Sequence, residues 1–324
     1  MIYFKFPFDE KLYSTDENSN TNSIHFHSFN TAERTDIAGK VIEKDLSEFE
    51  NLEISSQILP EDETQFIAET QEEYLQKLEE VIKIIKENNL QKLVLSRRKI
   101  LTGFTEINLK ESFNNLCRNY PNAFKYLFFD GETSWMGAFS EVLGKFNKST
   151  HEFETMSIAG TIPVSEEWTE KEIEEQKPVS SYIRNTLTKY ATLREVKESE
   201  TYDHISGNIK HLKTDFKIKI NPEDLDSIIK DLHPTPAVCG IPKDFCREII
   251  EKVEKFPREL YAGYIKIETE DYIQYFVNLR CARLYKNSVH LFVGGGITAQ
   301  SNPEKEWQET ELKSEAVLKN LVVI

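Results

Sequence analysis

A chain of 324 residues, 39% hydrophobic and 29% charged, can bury a substantial core and has the balance of an ordinary globular protein. Its formal charge of -15 disfavours a nucleic-acid partner, because an acidic surface repels phosphate unless a concentrated basic patch overcomes it, and no such patch is evident. No apolar run reaches membrane-spanning length, the stretch from Met1 to Lys5 lacks the layout of a signal peptide, and Cys117, Cys239, Cys246 and Cys281 show no CxxC spacing, so a cytoplasmic chain with reduced thiols is expected.

Residues 1–65 carry short strand-like runs around a polar loop from Asp16 to Asn22. From Thr70 to Asn89 the pattern changes. Tyr74, Leu78, Val81, Ile82 and Ile85 recur at helical spacing and Asn88-Asn89 supplies a stop, which predicts an amphipathic helix. Lys92 to Arg97 reads as a strand, followed by strands at 126–129, 135–139, 142–146 and 153–158, broken by Gly and Asn. Thr169 and Glu172 form a capping box for a helix carrying Val179, Tyr182, Ile183 and Leu187, although Pro178 removes a donor inside it and argues for a shifted start. Residues 260–267, 272–284 and 289–297 are expected to be long strands, with a hairpin turn at Lys286-Asn287. Asn302 then caps a final helix whose first position is Pro303. No repeat or low-complexity linker divides the chain, so one mixed α+β unit over residues 1–324 is expected.

On the final helix Glu309 and Lys313 share a face, with Glu306 one turn earlier. Taken alone they make an ordinary solvated ion pair. The preceding Phe292-Val-Gly-Gly-Gly-Ile297 ends a strand in three glycines, which is either a tight turn or a place where backbone N–H groups approach an anion. Together, the glycines, the carboxylate and the lysine would suit a substrate carboxylate held through direct and metal-bridged contacts. Lys92 shares a strand face with Val94 and Ser96. It is a solvated rim residue if exposed, and a usable general base if it faces a cleft where burial and nearby cations depress its pKa. Glu141, between two strands, is equally open; partly desolvated, it would have a raised pKa and could act as general acid.

The segments Lys92-Leu-Val-Leu-Ser-Arg97, Gly137-Ala-Phe-Ser-Glu141, Ile158-Ala-Gly-Thr161, His211-Leu-Lys-Thr214, Leu232-His-Pro-Thr-Pro-Ala-Val-Cys-Gly240, Arg258-Glu-Leu-Tyr-Ala-Gly263, Leu279-Arg-Cys-Ala282, Gly294-Gly-Gly-Ile297 and Glu306-Trp-Gln-Glu-Thr310 with Lys313 follow one another in order. Together they resemble the chorismate-utilising family of isochorismate, salicylate, anthranilate and aminodeoxychorismate synthases, over residues 70–324. The resemblance implies two antiparallel β-sheets packed as a sandwich with helices outside, and a chorismate-binding catalytic domain. It implies Lys92 as the base that activates water for attack at ring C2 and Glu141 as the acid that protonates the departing C4 hydroxyl. Arg280 and Lys313 match carboxylate-binding positions, helped by backbone at Gly160, Thr161 and Gly294. Tyr261, Leu279 and Phe292 match positions lining the ring pocket, and His211 a pocket histidine. Glu309 and Glu175 match magnesium ligands, with Glu306 holding metal-bound water.

Within the family, Lys92 stands where the ammonia-using anthranilate and aminodeoxychorismate synthases carry glutamine, and Ala159 where the latter place a nucleophilic lysine. Salicylate synthases keep the lysine but usually have threonine at the position of Ala237; alanine there resembles the isochorismate synthases, which stop after water addition. The expectation is therefore a magnesium-dependent isochorismate synthase, a monomer feeding menaquinone or siderophore synthesis. A salicylate synthase and a catalytically idle chorismate-binding subunit are the alternatives. Three departures bear on the site. The usual His-Glu-His at the first metal ligand is Glu174-Glu175-Gln176, so that Glu172 or Glu174 competes with Glu175. The proline before the catalytic glutamate is Ser140, and Pro-Val-Gly after Tyr-Ala-Gly is Tyr264-Ile-Lys266.

Overall fold

The computed structural model describes residues 1–16, 18–51, 58–62, 66–206 and 209–324. Its strands form two large sheets. One runs edge to edge through Gly240–Ile241, Lys92–Thr102, Ser288–Ile297, Cys281–Leu284, Ser134–Phe139, Phe124–Phe129, Ile2–Lys5, Leu12–Asp16 and Lys40–Lys44. The other runs through Lys197–Glu198, Ile209–Lys219, Glu152–Pro163, Val142–Asn147, Tyr272–Val277, Tyr264–Glu268, Asn22–His27 and Arg34–Ala38, with Tyr202–Ser206 also paired to Ile209–Lys219. The pairings between these strands are antiparallel.

Strand alternation decides what lies between the sheets. Phe124, Tyr126 and Phe128 of the first sheet point toward the second, where Phe26 packs 5.2 Å from Phe128 and Phe276 stacks 4.5 Å from Phe124. The opposite side of the same strand carries Leu127 and Phe129, which pack with Phe113 and Leu116 of the helix Leu109–Asn119. With both faces buried, the strand reads as an unbroken apolar run. Each such side chain contributes about 1.5–3 kcal/mol of burial. The helix Gln71–Glu87 buries Tyr74, Leu78, Val81, Ile82 and Ile85, and Thr70 and Glu73 cap it reciprocally. Among the described residues no helix is long and apolar enough to cross a membrane, and all four cysteines are free.

Several elements depart from the sequence expectation. Lys92–Thr102 and Glu152–Pro163 run longer than predicted. The helix Glu170–Thr188 continues through Pro178, and its start is held where the capping box put it, because the Glu172 carboxylate accepts from the N–H and hydroxyl of Thr169. Residues 260–263 are not strand; Glu259 and Ala262 adopt positive φ and the strand begins at Tyr264. The run 272–284, read as one strand, is two strands belonging to different sheets. The described part of residues 1–65 is structural: Ile2–Lys5 pairs with Phe124–Phe129, and Asn22–His27 pairs with Tyr264–Glu268.

Candidate active site

Two places where the chain passes between the sheets create the site. Ser140 and Glu141 connect Ser134–Phe139 of the first sheet to Val142–Asn147 of the second; Asn278 to Arg280 connect Tyr272–Val277 of the second to Cys281–Leu284 of the first. The crossings lie side by side, since the Val277 N–H donates to the Glu141 carbonyl at 3.0 Å. Between the strands that flank them, Glu141 and Arg280 both turn their side chains into one cleft.

The first sheet supplies Lys92, Val94, Phe292 and Gly294 to this cleft, and the second Ile158, Gly160, Thr161 and His211. Ala237, Tyr261, Leu279, Glu175 and Lys313 also line it, so every residue expected to bind substrate lines one cavity, as do Lys92 and Glu141. The apolar side is aromatic: Tyr261 stacks 5.8 Å from Phe292, which stacks 5.1 Å from Trp135. Gly294 fits because a Cβ there would lie 2.7 Å from the Leu95 carbonyl oxygen.

Burial pushes the Glu141 carboxyl up to about 7, although Lys92, the Thr235 hydroxyl and Arg280 pull the other way. The Thr235 hydroxyl lies 3.4 Å from Glu141 Oε1, to which it donates. His211 is held neutral, with its pKa driven well below the usual range by burial and then by Arg280 and Lys313. Its Nδ1 donates to the Gly160 carbonyl at 3.0 Å, which leaves the Nε2 lone pair to accept from Arg280 at 2.6 Å. Arg280 also donates to the Ser206 hydroxyl, and among the described residues it has no carboxylate in ion-pair range. A guanidinium fixed by neutral partners and facing a cavity is a built receptor for an external carboxylate.

The three candidate metal carboxylates are each turned to a lysine. Glu175 Oε1 lies 2.7 Å from Lys92 Nζ, Glu306 Oε1 2.9 Å from Lys171 Nζ, and Glu309 Oε1 2.7 Å from Lys313 Nζ. Among the described residues no three such groups converge as a metal cluster. They do share one stretch of backbone: a Cβ at Gly295 would lie 3.3 Å from Glu306 Oε2 and 3.6 Å from Glu309 Oε1, and one at Gly296 would lie 2.5 Å from Glu175 Oε1. Glu306 Oε2 is buried with no hydrogen-bond partner within 3.5 Å among the described residues, and burial and then Glu309 raise the pKa of its carboxyl against the pull of Lys171 and the Ser301 hydroxyl. Burial alone would raise Glu175 as well, but Lys92, Lys171 and Lys313 outweigh it and hold that carboxyl below its ordinary value. An all-oxygen set with an orphaned buried oxygen fits a hard divalent cation. Of the competing glutamates, Glu172 caps its helix, Glu174 is exposed and pairs with Lys177, and only Glu175 reaches the cleft.

Among the residues of the site that sequence did not single out are Thr235 and Lys171. Thr235 lies inside the His-Pro-Thr-Pro segment, and its hydroxyl gave no signal of its own. Lys171 stands four residues before Glu175, so helical spacing could have placed it on the same side.

A model of the family described as chorismate binding enzyme matches residues 10–322. The chain is 27% identical over 260 residues to isochorismate synthase MenF of Escherichia coli K12, covering 74% of this chain and 58% of that protein. It is 28% identical over 278 residues to isochorismate synthase DhbC of Bacillus subtilis 168, covering 78% and 68%. The first alignment thus spans under two thirds of the relative's length. The solved structure of the menaquinone-specific isochorismate synthase MenF from Escherichia coli superposes with a TM-score of 0.81 at 21% identity, covering 98% of this chain and 88% of the other, a likeness of fold.

Proposed function

Because the chain belongs to the chorismate-binding enzyme family, we propose that it is an isochorismate synthase, adding water at C2 of the chorismate ring and expelling the C4 hydroxyl. The observation that carries this assignment is that a lysine and a carboxyl whose pKa burial raises to about 7 face one cleft, beside a guanidinium with no carboxylate in ion-pair range among the described residues. Arg280 and Lys313 would bind the substrate's carboxylates, with Gly160, Thr161 and Gly294 offering backbone and His211 fixing the Arg280 fork. Tyr261, Leu279 and Phe292 would hold the ring and its side chain.

With the ring so held, Lys92 removes a proton from the attacking water on one side. Glu141, which keeps its proton to about pH 7, delivers one to the leaving hydroxyl on the other. Each transfer is worth about 10²–10⁴-fold in rate. An exchange of one C–O bond for another needs positioning and matched acid and base, and no covalent enzyme intermediate. Glu175, Glu309 and Glu306 would hold a magnesium ion, which when bound would neutralise a substrate carboxylate and fix the ring. Ala237 leaves the cleft without the hydroxyl that salicylate synthases carry there. The product would feed menaquinone or siderophore synthesis, and the free cysteines support a reducing, cytoplasmic setting.

The test is chromatography of the products formed from chorismate and magnesium. Isochorismate in equilibrium with chorismate is expected; salicylate with pyruvate would reassign the chain as a salicylate synthase. The variants Lys92→Ala and Glu141→Gln should lose turnover while still binding chorismate. Wild-type binding without conversion would make the protein an idle binding subunit.

A further inference from the structure

The strand Tyr202–Ser206 is joined to the second sheet through Ile209–Lys219, with His204 directly opposite His211 and Ser206 opposite Ile209. Directly opposed side chains project to one side of a sheet, and so do side chains two apart on one strand. His204 and Ser206 therefore share the side on which His211 faces the cleft. Both reach the crossings between the sheets. Ser206 accepts from Arg280, at the end of the crossing Asn278 to Arg280. His204 Nε2 lies 2.8 Å from the Ser140 hydroxyl, in the crossing that carries Glu141. One short strand thus holds both crossings that open the cleft.

Its own place is fixed from several directions. Trp168 Nε1 donates to the Asp203 carboxylate at 2.7 Å, the Lys210 ammonium lies 3.2 Å from the same group, and Asn122 Nδ2 donates to the Ile205 carbonyl at 2.7 Å. Asn122 leads into Phe124–Phe129, so the strand is tied to the first sheet as well as to the second.

The Glu141 carboxyl is itself only loosely oriented, because the Thr235 hydroxyl that donates to it is 3.4 Å away, at the long end of hydrogen bonding. Its aim therefore depends on the two-residue crossing from which it projects. A proline at position 140 would fix φ there by its ring. Serine leaves φ free, and the bond to His204 supplies the restraint. Ser140 lines the cleft and His204 does not, so the imidazole reaches the acid only through Ser140. Burial, then Lys213 and Arg280, outweigh Asp215 and keep the imidazole neutral, with a pKa of about 4. A neutral ring bonds a hydroxyl in either tautomer and brings no charge to the acid.

Resting on the reading of the chain as an isochorismate synthase, we propose that His204 is a positioning residue of the reaction: through Ser140 it fixes the crossing that aims the Glu141 carboxyl at the leaving hydroxyl, from a strand that Ser206 ties to the Arg280 carboxylate receptor. The test is steady-state kinetics of isochorismate formation from chorismate and magnesium, over pH, with the full-length protein. His204→Leu should lower kcat by about tenfold and leave KM within about twofold, because a poorly aimed acid weakens the transition state and not the bound substrate. It should also move the alkaline fall of kcat/KM to lower pH, since a loosened crossing admits water to a carboxyl whose pKa burial raises. Lys92, Thr235 and Arg280, which also act on Glu141, are untouched by the substitution. His204→Gln, whose amide can bond the same hydroxyl, should restore kcat to within about threefold of wild type. Ser140→Ala should cost as much as His204→Leu, and the double variant no more than either. An unchanged kcat in His204→Leu, a fall in kcat with the pH profile unmoved, losses that add in the double variant, or no rescue by His204→Gln would overturn the role while the wild type still makes isochorismate. A wild type that leaves chorismate unconverted would instead overturn the underlying reading, and this role with it.

Discussion

Replacing Glu141 by glutamine should stabilise the protein while it abolishes turnover, and the stabilisation should depend on pH. The folded carboxyl titrates at about 7 against an ordinary 4.5, chiefly because it is buried. Below about pH 4.5 it is protonated in the folded and unfolded chains alike and contributes no difference. As pH rises from there the unfolded chain ionises while the folded one keeps its proton, so wild-type stability falls until about pH 7 and then levels off. The gap between the two values corresponds to about 3 kcal/mol. Glutamine is neutral throughout, has nearly the same shape, and can still accept from Thr235. For a chain of this length about 3 kcal/mol is roughly 5 °C in Tm. Differential scanning calorimetry of both proteins in magnesium-free buffer should therefore show equal Tm near about pH 4.5, and Glu141→Gln higher by about 5 °C near pH 8. A gap that does not change with pH, or a wild type more stable at alkaline pH, would refute the view that Glu141 is a carboxyl kept protonated by burial.

The same titration predicts that kcat/KM falls as pH rises above about 7, when Glu141 of the free enzyme loses the proton it donates; a kcat/KM profile over pH checks this, and a plateau extending to about pH 9 would exclude Glu141 as the acid. Arg280→Ala should weaken chorismate binding by about 10- to 100-fold, the worth of a charge-assisted hydrogen bond to a carboxylate, read as Kd by calorimetry. Lys171→Met removes the cation 2.9 Å from the nearly fully buried Glu306. It should tighten magnesium binding by about tenfold and lower the magnesium-free Tm, since Glu306 then faces Glu309 with no counter-charge. Unchanged magnesium affinity in that variant would show that Lys171 does not compete for the site.

Local signals in the sequence carried a good part of this structure. The spacing of Tyr74, Leu78, Val81, Ile82 and Ile85 marks the helix Gln71–Glu87, and Asn302-Pro303 opens the final one. The glycines at 294–296, and Glu309 with Lys313 on a shared helix face, stand where their spacing put them. Each is a matter of a few neighbouring residues and the geometry of one element. Tertiary structure decided the rest. The apolar run 272–284 leaves one sheet and joins the other at Arg280, and this crossing, with the one at Glu141, opens the cleft. Hydrophobic pattern could not reveal it, because a strand in this sandwich can be buried on either or both faces and reads the same in whichever sheet it lies. Nor could sequence select Glu175 from its neighbours or pair the acidic residues with Lys92, Lys171 and Lys313. The partner of a buried charge is set by which elements meet in space; Lys171 and Glu306 stand 135 positions apart along the chain.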